Sequence, residues 1–187
     1  MGATCHENQG SWSIVHQGRR YIIQTLERLA WRKDTFVEAA QLLLRLAEAE
    51  NQTWGNNATG IWTGLFLTYT GATEVPALER YSLLQEALQS GISAVRALVV
   101  EALFKALSVS ETGNSTSEAQ DGYVPLKRWH PTTWEEECIA RRKALCLLDV
   151  ALSDTDEQIQ NRARAVLFDI ARGMVTRGLA EEIMTRF

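Results

Sequence analysis

Apolar residues recur along this chain at helical spacing, and no useful length shows the two-residue alternation of a strand. Ile22, Ile23, Leu26, Leu29 and Ala30 fall at i, i+1, i+4, i+7 and i+8. That is one face of a helix from about Gln17 to Trp31. Phe36, Val37, Ala40, Leu43, Leu44 and Ala47 repeat the pattern, with Asp34 placed to cap the second helix. So few residues join the two that they are expected to pack antiparallel. A third helix follows Asn57, carries Ile61, Trp62, Leu65 and Phe66, and closes near Gly71. Thr73 and Pro76 open a fourth with Ala77, Tyr81, Leu84 and Leu88, and Gly91 ends it. Ser93 opens a fifth, with Val95, Leu98, Val99, Ala102, Leu103, Ala106 and Leu107 on its apolar side.

From Ser108 to Gly122 the composition turns to Ser, Thr, Glu, Asn and Gly, which reads as an exposed loop. It is long against the roughly 4–6 residues of most connections. Thr132-Thr-Trp-Glu135 resembles a capping box at the start of a sixth helix reaching Leu152. Thr155-Asp-Glu-Gln158 does the same for a seventh, with Ile159, Ala163, Val166, Leu167, Ile170 and Met174 on one face. A short last helix carries Leu179, Ile183 and Phe187. The chain is therefore expected to be all-α. Its helices read as stacked antiparallel hairpins, a right-handed HEAT- or armadillo-like α-solenoid fragment, with an irregular helical bundle as the alternative. The expected organisation is a flexible N-terminus over 1–11, a hairpin array over 12–107, an exposed loop over 108–130, and helices of the same domain over 131–187.

Composition narrows the classes of function. The chain has 187 residues, enough for a real hydrophobic core, with 45% hydrophobic and 22% charged residues. A net charge of -4 argues against a general binder of nucleic acid or anionic membrane. Cys5, Cys138 and Cys146 show no metal or redox spacing and read as reduced thiols used as small apolar residues. The first ten residues lack the apolar core of a signal peptide, and no apolar run approaches the ~20 residues of a membrane span. A cytoplasmic setting is expected. No His, Cys or carboxylate spacing suggests a metal, and no phosphate-binding glycine loop is present, so no cofactor is expected.

Candidate residues remain. The polar stretch Asn51-Gln-Thr-Trp-Gly-Asn-Asn-Ala-Thr-Gly60 reads as a shaped connector, with Trp54 a wedge between hairpins, Asn56 beside it, and Asn57 a helix cap. Glu135-Glu-Glu137 reads as a solvated helix start. Asp149, inside an apolar run, is expected in an ion pair, with Arg142 and Arg141 about two turns earlier. Trp62 and Trp134 are expected in the core. Trp129 is either a wedge or a hot spot for a partner. Basic residues gather at Arg19-Arg20, Arg32-Lys33, Lys127-Arg128 and Arg141-Arg-Lys143, diluted by nearby glutamates.

Gly18-Arg-Arg, Leu26-Glu-Arg-Leu-Ala-Trp31, Phe36-Val-Glu-Ala-Ala40, Leu46-Ala-Glu-Ala-Glu-Asn51 and Asn56-Asn-Ala-Thr59 together look familiar. They resemble helical-repeat segments of large bacterial STAND-type NTPases and related antiphage-defence proteins; Arg80 and Trp129-His-Pro-Thr-Thr133 continue the likeness. It covers most of the chain from Trp12 onward, and its motifs are structural. The effector and ATPase parts of such proteins have no counterpart here, so the resemblance implies recognition or scaffolding and transfers no catalytic residue. The expected function is a non-catalytic protein-interaction or sensor segment of a larger bacterial protein. Its expected contact site is the 108–122 loop with Lys127, Arg128, Trp129 and His130, and its partner is a protein or another domain of the same chain. A nucleic-acid-binding helical module and a small enzyme of unrecognised type are the alternatives.

Overall fold

A computed structural model describes the backbone of residues 8–50, 57–69, 73–109 and 127–187, and the side chains from residue 17 onward. Among the described residues every regular element is a helix. They are α1 (Asn8–Trp31), α2 (Phe36–Glu48), α3 (Ala58–Gly64), α4 (Ala77–Leu88), α5 (Ser93–Leu107), α6 (Trp134–Leu152), α7 (Glu157–Thr176) and α8 (Ala180–Met184). The expected pattern of helices holds, with shifts at their ends. α1 begins at Asn8, nine residues before the expected Gln17. Trp54, Asn56 and most of the 108–122 loop lie outside the described residues.

The caps explain several boundaries. Asn57 caps α3, its Oδ1 accepting the Gly60 N–H at 2.8 Å, while the Glu50 carboxylate accepts the Ala58 N–H at 3.0 Å. Asp34 does not cap α2 as expected. Residues Lys33–Thr35 tighten into a 3₁₀ turn, Thr35 takes the cap position, and its hydroxyl turns back to donate to the Leu29 carbonyl at 2.6 Å. The box at α6 lies one residue later than expected. Thr133 Oγ1 accepts the Glu136 N–H at 3.2 Å, and the Glu136 carboxylate reaches back to the Thr132 N–H at 2.7 Å. At α7 the cap is Asp156 rather than Thr155, and its carboxylate accepts the Gln158 N–H at 2.9 Å. A carboxylate at this position also answers the positive end of the helix dipole, which a threonine hydroxyl does not.

Packing follows from which faces are apolar. α1 lies along α2, using Ile23, Leu26 and Ala30; Ile22 and Leu29, expected on the same face, are exposed, as is Val37 on α2. α5 is covered on nearly all sides. It touches α2, α3, α4, α6 and α7, and buries Val95, Val99, Val100, Ala102, Leu103, Ala106 and Leu107. Such a helix needs no polar face, which is why its apolar residues crowd beyond one stripe. Trp62 on α3 is buried and meets Phe66 edge-on, with ring centroids 4.9 Å apart.

Contacts at the helix ends fix relative directions. The Ser93 hydroxyl at the start of α5 donates to Asp156 at the start of α7 (2.7 Å). Arg96 bridges the turn before α5 to the turn before α7, donating to the Ser90 carbonyl and to Asp154, both at 2.8 Å. At the far end Val109, just past α5, packs on Gly173 near the end of α7. α5 and α7 therefore run parallel. So do α4 and α6, since Thr73 before α4 accepts the backbone N–H of Trp129 before α6 at 2.8 Å.

Gly173 is required by close approach. A Cβ there would lie 2.1 Å from Val109 Cγ2. Gly173→Ala is expected to lower stability by about 1–3 kcal/mol, the usual penalty of overpacking, despite alanine's better helix propensity. Val109→Ala in the same chain should restore most of the loss. Thermal melts of the two single variants and the double variant check this, and a Gly173→Ala protein as stable as the parent would contradict the contact.

Candidate functional site

Two arginines sit where a helix stripe calls for apolar residues. Arg80 falls between Ala77 and Leu84 on the buried face of α4, and Arg141 between Cys138 and Leu145 on that of α6. Both are essentially inaccessible, at 0% and 1% exposure, so each guanidinium must find partners inside the protein. Both find them at a helix C-terminus, where backbone carbonyls are left over. Arg80 Nη1 donates to the carbonyls of Leu65 and Leu67 just past α3, the latter at 2.9 Å. Arg141 Nη1 donates to those of Leu107 at 2.9 Å and Ser108 at 3.4 Å, at the end of α5.

The second edges of the two guanidinium groups differ. Arg141 Nε is 2.8 Å from the Glu137 carboxylate, four residues earlier, whose other oxygen is 3.5 Å from Arg177. Arg80 has Pro76 at the equivalent position, and its Nε and Nη2 are buried without a partner. Above it lies Trp129, its ring centroid 5.6 Å from the guanidinium carbon. Burial pulls the Arg80 pKa down to about 10, with the neighbouring Tyr81 acting weakly in the opposite direction.

Tyr81 closes the same region. Thr68 Oγ1 gives its only proton to the Ala106 carbonyl at 2.6 Å, so the Tyr81 hydroxyl donates in the 2.6 Å bond between Tyr81 and Thr68. Burial raises the Tyr81 pKa above the usual phenol value, and the Arg80 charge only partly offsets this.

A groove of about 250 Å³ opens between α2 and α4. Trp62 and Val95 form its floor, Ala40, Leu44, Leu83 and Ala87 its walls, and Arg45, Glu48 and Glu86 its charged rim. Among the described residues no group of three His, Cys, Asp or Glu side chains is placed to hold a metal ion. No helix among them is long and apolar enough to cross a membrane.

The candidate contact residues form a strap ahead of α6. Lys127, Arg128 and His130 are exposed, while Trp129 is half-buried against Arg80 and the core. Glu74 accepts the Lys127 N–H at 3.5 Å and pairs with Arg32 at 2.9 Å. The expectations for Trp134, Glu137 and Cys146 are corrected. Trp134 is not in the core: it is 52% exposed, lying over Arg177 with its ring centroid 5.7 Å from the guanidinium. As the first residue of α6 it precedes the point where that helix enters the packed layer. Glu137 is not solvated like Glu135 and Glu136 but buried, because Arg141 and Arg177 neutralise it. Asp149 is in an ion pair, as expected; its partner is Arg186, at 2.7 Å through both oxygens, since α8 folds back beside it. Arg142 pairs with Glu182 instead. Cys138 is buried, whereas Cys146 is exposed and so not a core residue. The roles of Arg80 and Arg141 were missed, although an arginine inside an apolar helical stripe marks both.

Comparison with family models, with curated proteins and with solved structures finds no match to this chain.

Arg80→Met should lower stability by about 3 kcal/mol, because the Leu65 and Leu67 carbonyls are then buried without a donor. Urea unfolding measures it, and a loss below about 1 kcal/mol would contradict the cap. Tyr81 supplies a pH test. The unfolded chain releases the phenol proton near pH 10, and the folded chain holds it to higher pH. Stability from this group is therefore complete below pH about 10 and is lost as pH rises through the higher folded value. In a tyrosinate absorbance titration, one tyrosine should ionise only together with unfolding, and Tyr81→Phe should remove that late step.

Proposed function

We propose that this chain is a non-catalytic, HEAT-like helical-repeat segment that binds a polypeptide partner in the groove between α2 and α4. The repeat reading rests on correspondence between hairpins. α2 with α3, α4 with α5, and α6 with α7 each form a pair, and the second members lie side by side, α3 on α5 and α5 on α7. In two successive pairs the first helix carries a buried arginine that caps the second helix of the preceding pair. The first members α4 and α6 also pack together.

The observation that carries the binding reading is the break in this scheme. α2 and α4, which would make the same contact one step earlier, part to leave the groove over Trp62. An apolar floor with a rim of both charge signs suits an apolar side chain on an amphipathic helix of a protein partner. The sequence likeness to helical segments of STAND-type NTPases and antiphage-defence proteins supports a place within a larger bacterial defence or signalling protein, in the cytoplasm. Lys127, Arg128 and His130, exposed beside the half-buried Trp129, offer a second contact on the strap.

The test takes a protein captured by this segment, purifies it, and measures its affinity by calorimetry for the wild type and for Leu83→Glu and Ala87→Arg. Both variants should weaken binding at least about tenfold, a loss of about 1.4 kcal/mol, while His130→Ala has a smaller effect. Affinity unchanged by both groove variants would overturn the groove. Salt-sensitive retention on heparin or DNA would instead favour the nucleic-acid reading.

A further inference from the structure

We propose that the side-on edge of the Arg80 guanidinium, beneath Trp129, is a seat for a carboxylate group supplied from outside this chain. Nε and Nη2 are the two nitrogens that point their N–H bonds the same way along one edge of the guanidinium plane. This is the fork that takes both oxygens of a carboxylate. In Arg80 that whole edge is buried without a partner, while Nη1 is fully used on the carbonyls beyond α3. Buried donors of this kind are rarely left unpaired.

The protein itself shows what fits such an edge. Arg141 caps a helix end in the same manner, and its Nε takes the carboxylate of Glu137. Pro76 stands four residues before Arg80, where no carboxylate can be supplied. Among the described residues the nearest acidic side chain in the strap region, Glu74, is engaged by Arg32 and by the Lys33 and Lys127 N–H groups. Among the described residues the guanidinium therefore has no counter-charge, which a bound carboxylate would provide.

Residues 127–131 have no regular structure, and the strap is tied down by the 2.8 Å bond from the Trp129 N–H to Thr73 and by the Trp129 ring on Arg80. A carboxylate would reach the guanidinium by displacing Trp129, a movement that breaks no helix.

The carboxylate can be a free small acid or the end of a peptide chain, and two probes separate them. The side-chain Nε–H resonance of Arg80 is followed in the folded, isotope-labelled protein, assigned by its loss in Arg80→Lys or by through-bond correlation to the Arg80 backbone. Sodium formate is titrated at constant ionic strength against sodium chloride. A short peptide with a free C-terminus is titrated against its C-terminal amide. The expected result is a saturable shift of the Arg80 resonance with formate and not with chloride, with tryptophan fluorescence changing at the same half-saturation. A matching shift with the free peptide and not its amide assigns the seat to a chain terminus, and a shift with formate alone assigns it to a small acid. An Arg80 resonance that neither probe moves, or that moves equally with chloride, would overturn the proposal and leave ordered water on that edge.

Discussion

The structure depends on burying a guanidinium against the open end of a neighbouring helix. A helix leaves its last carbonyls without internal partners, and in a stack of helices those ends are shielded from the water that would otherwise serve them. Arg80 and Arg141 reach from the next helix pair and supply the missing donors. Each thereby ties the end of one pair to the flank of the following one. Burying such a charge is costly, and a carboxylate returns that cost only when the geometry is good. Glu137 does this for Arg141, with Arg177 as a third member.

The surface features follow from this arrangement. Arg80 fixes α4 against the end of α3, and Arg96 with Asp154 holds the opposite ends of the α4–α5 and α6–α7 pairs together. With α4 tied by Arg80 to the residues just past α3 and packed on α5 and α6, the space between α4 and α2 is left unfilled. The groove over Trp62 lies there. The strap bearing Trp129 is placed by the same arginine, since its ring rests on the guanidinium. The surface ion pairs, such as Lys33 with Glu79 and Arg162 with Glu101, join exposed side chains and add little.

Much of the fold was legible from periodicity. Apolar positions at i, i+3, i+4 and i+7 located the helices, and Asn57 was recognisable as a cap from residue type and place. Boundaries set by competing caps were not. Thr35 takes the cap position of α2 because the 3₁₀ turn delays the helix, its own hydroxyl going to Leu29, and Asp156 rather than Thr155 caps α7; adjacent capping residues do not reveal which of them will serve. Long-range pairing was also hidden. Asp149 had two arginines close by in sequence, yet Arg186 reached it because α8 turns back at Gly178, with φ of 70°. Trp134 and Glu137 were read from local composition, whereas their exposure depends on where α6 enters the packed layer. The candidate site was the least legible part. A groove between α2 and α4 is a property of packing, and the only sequence mark of the arginine caps is a charge in an apolar stripe.

The most direct measurement is native-state hydrogen exchange on Arg141→Met. The amides of the last turn of α5, including the Ser108 N–H that bonds to the Phe104 carbonyl, should lose protection well beyond those of α2. The first turn of α6 should loosen with them. Protection in the last turn of α5 equal to that of the parent protein would contradict the claim that buried arginines hold successive helix pairs together.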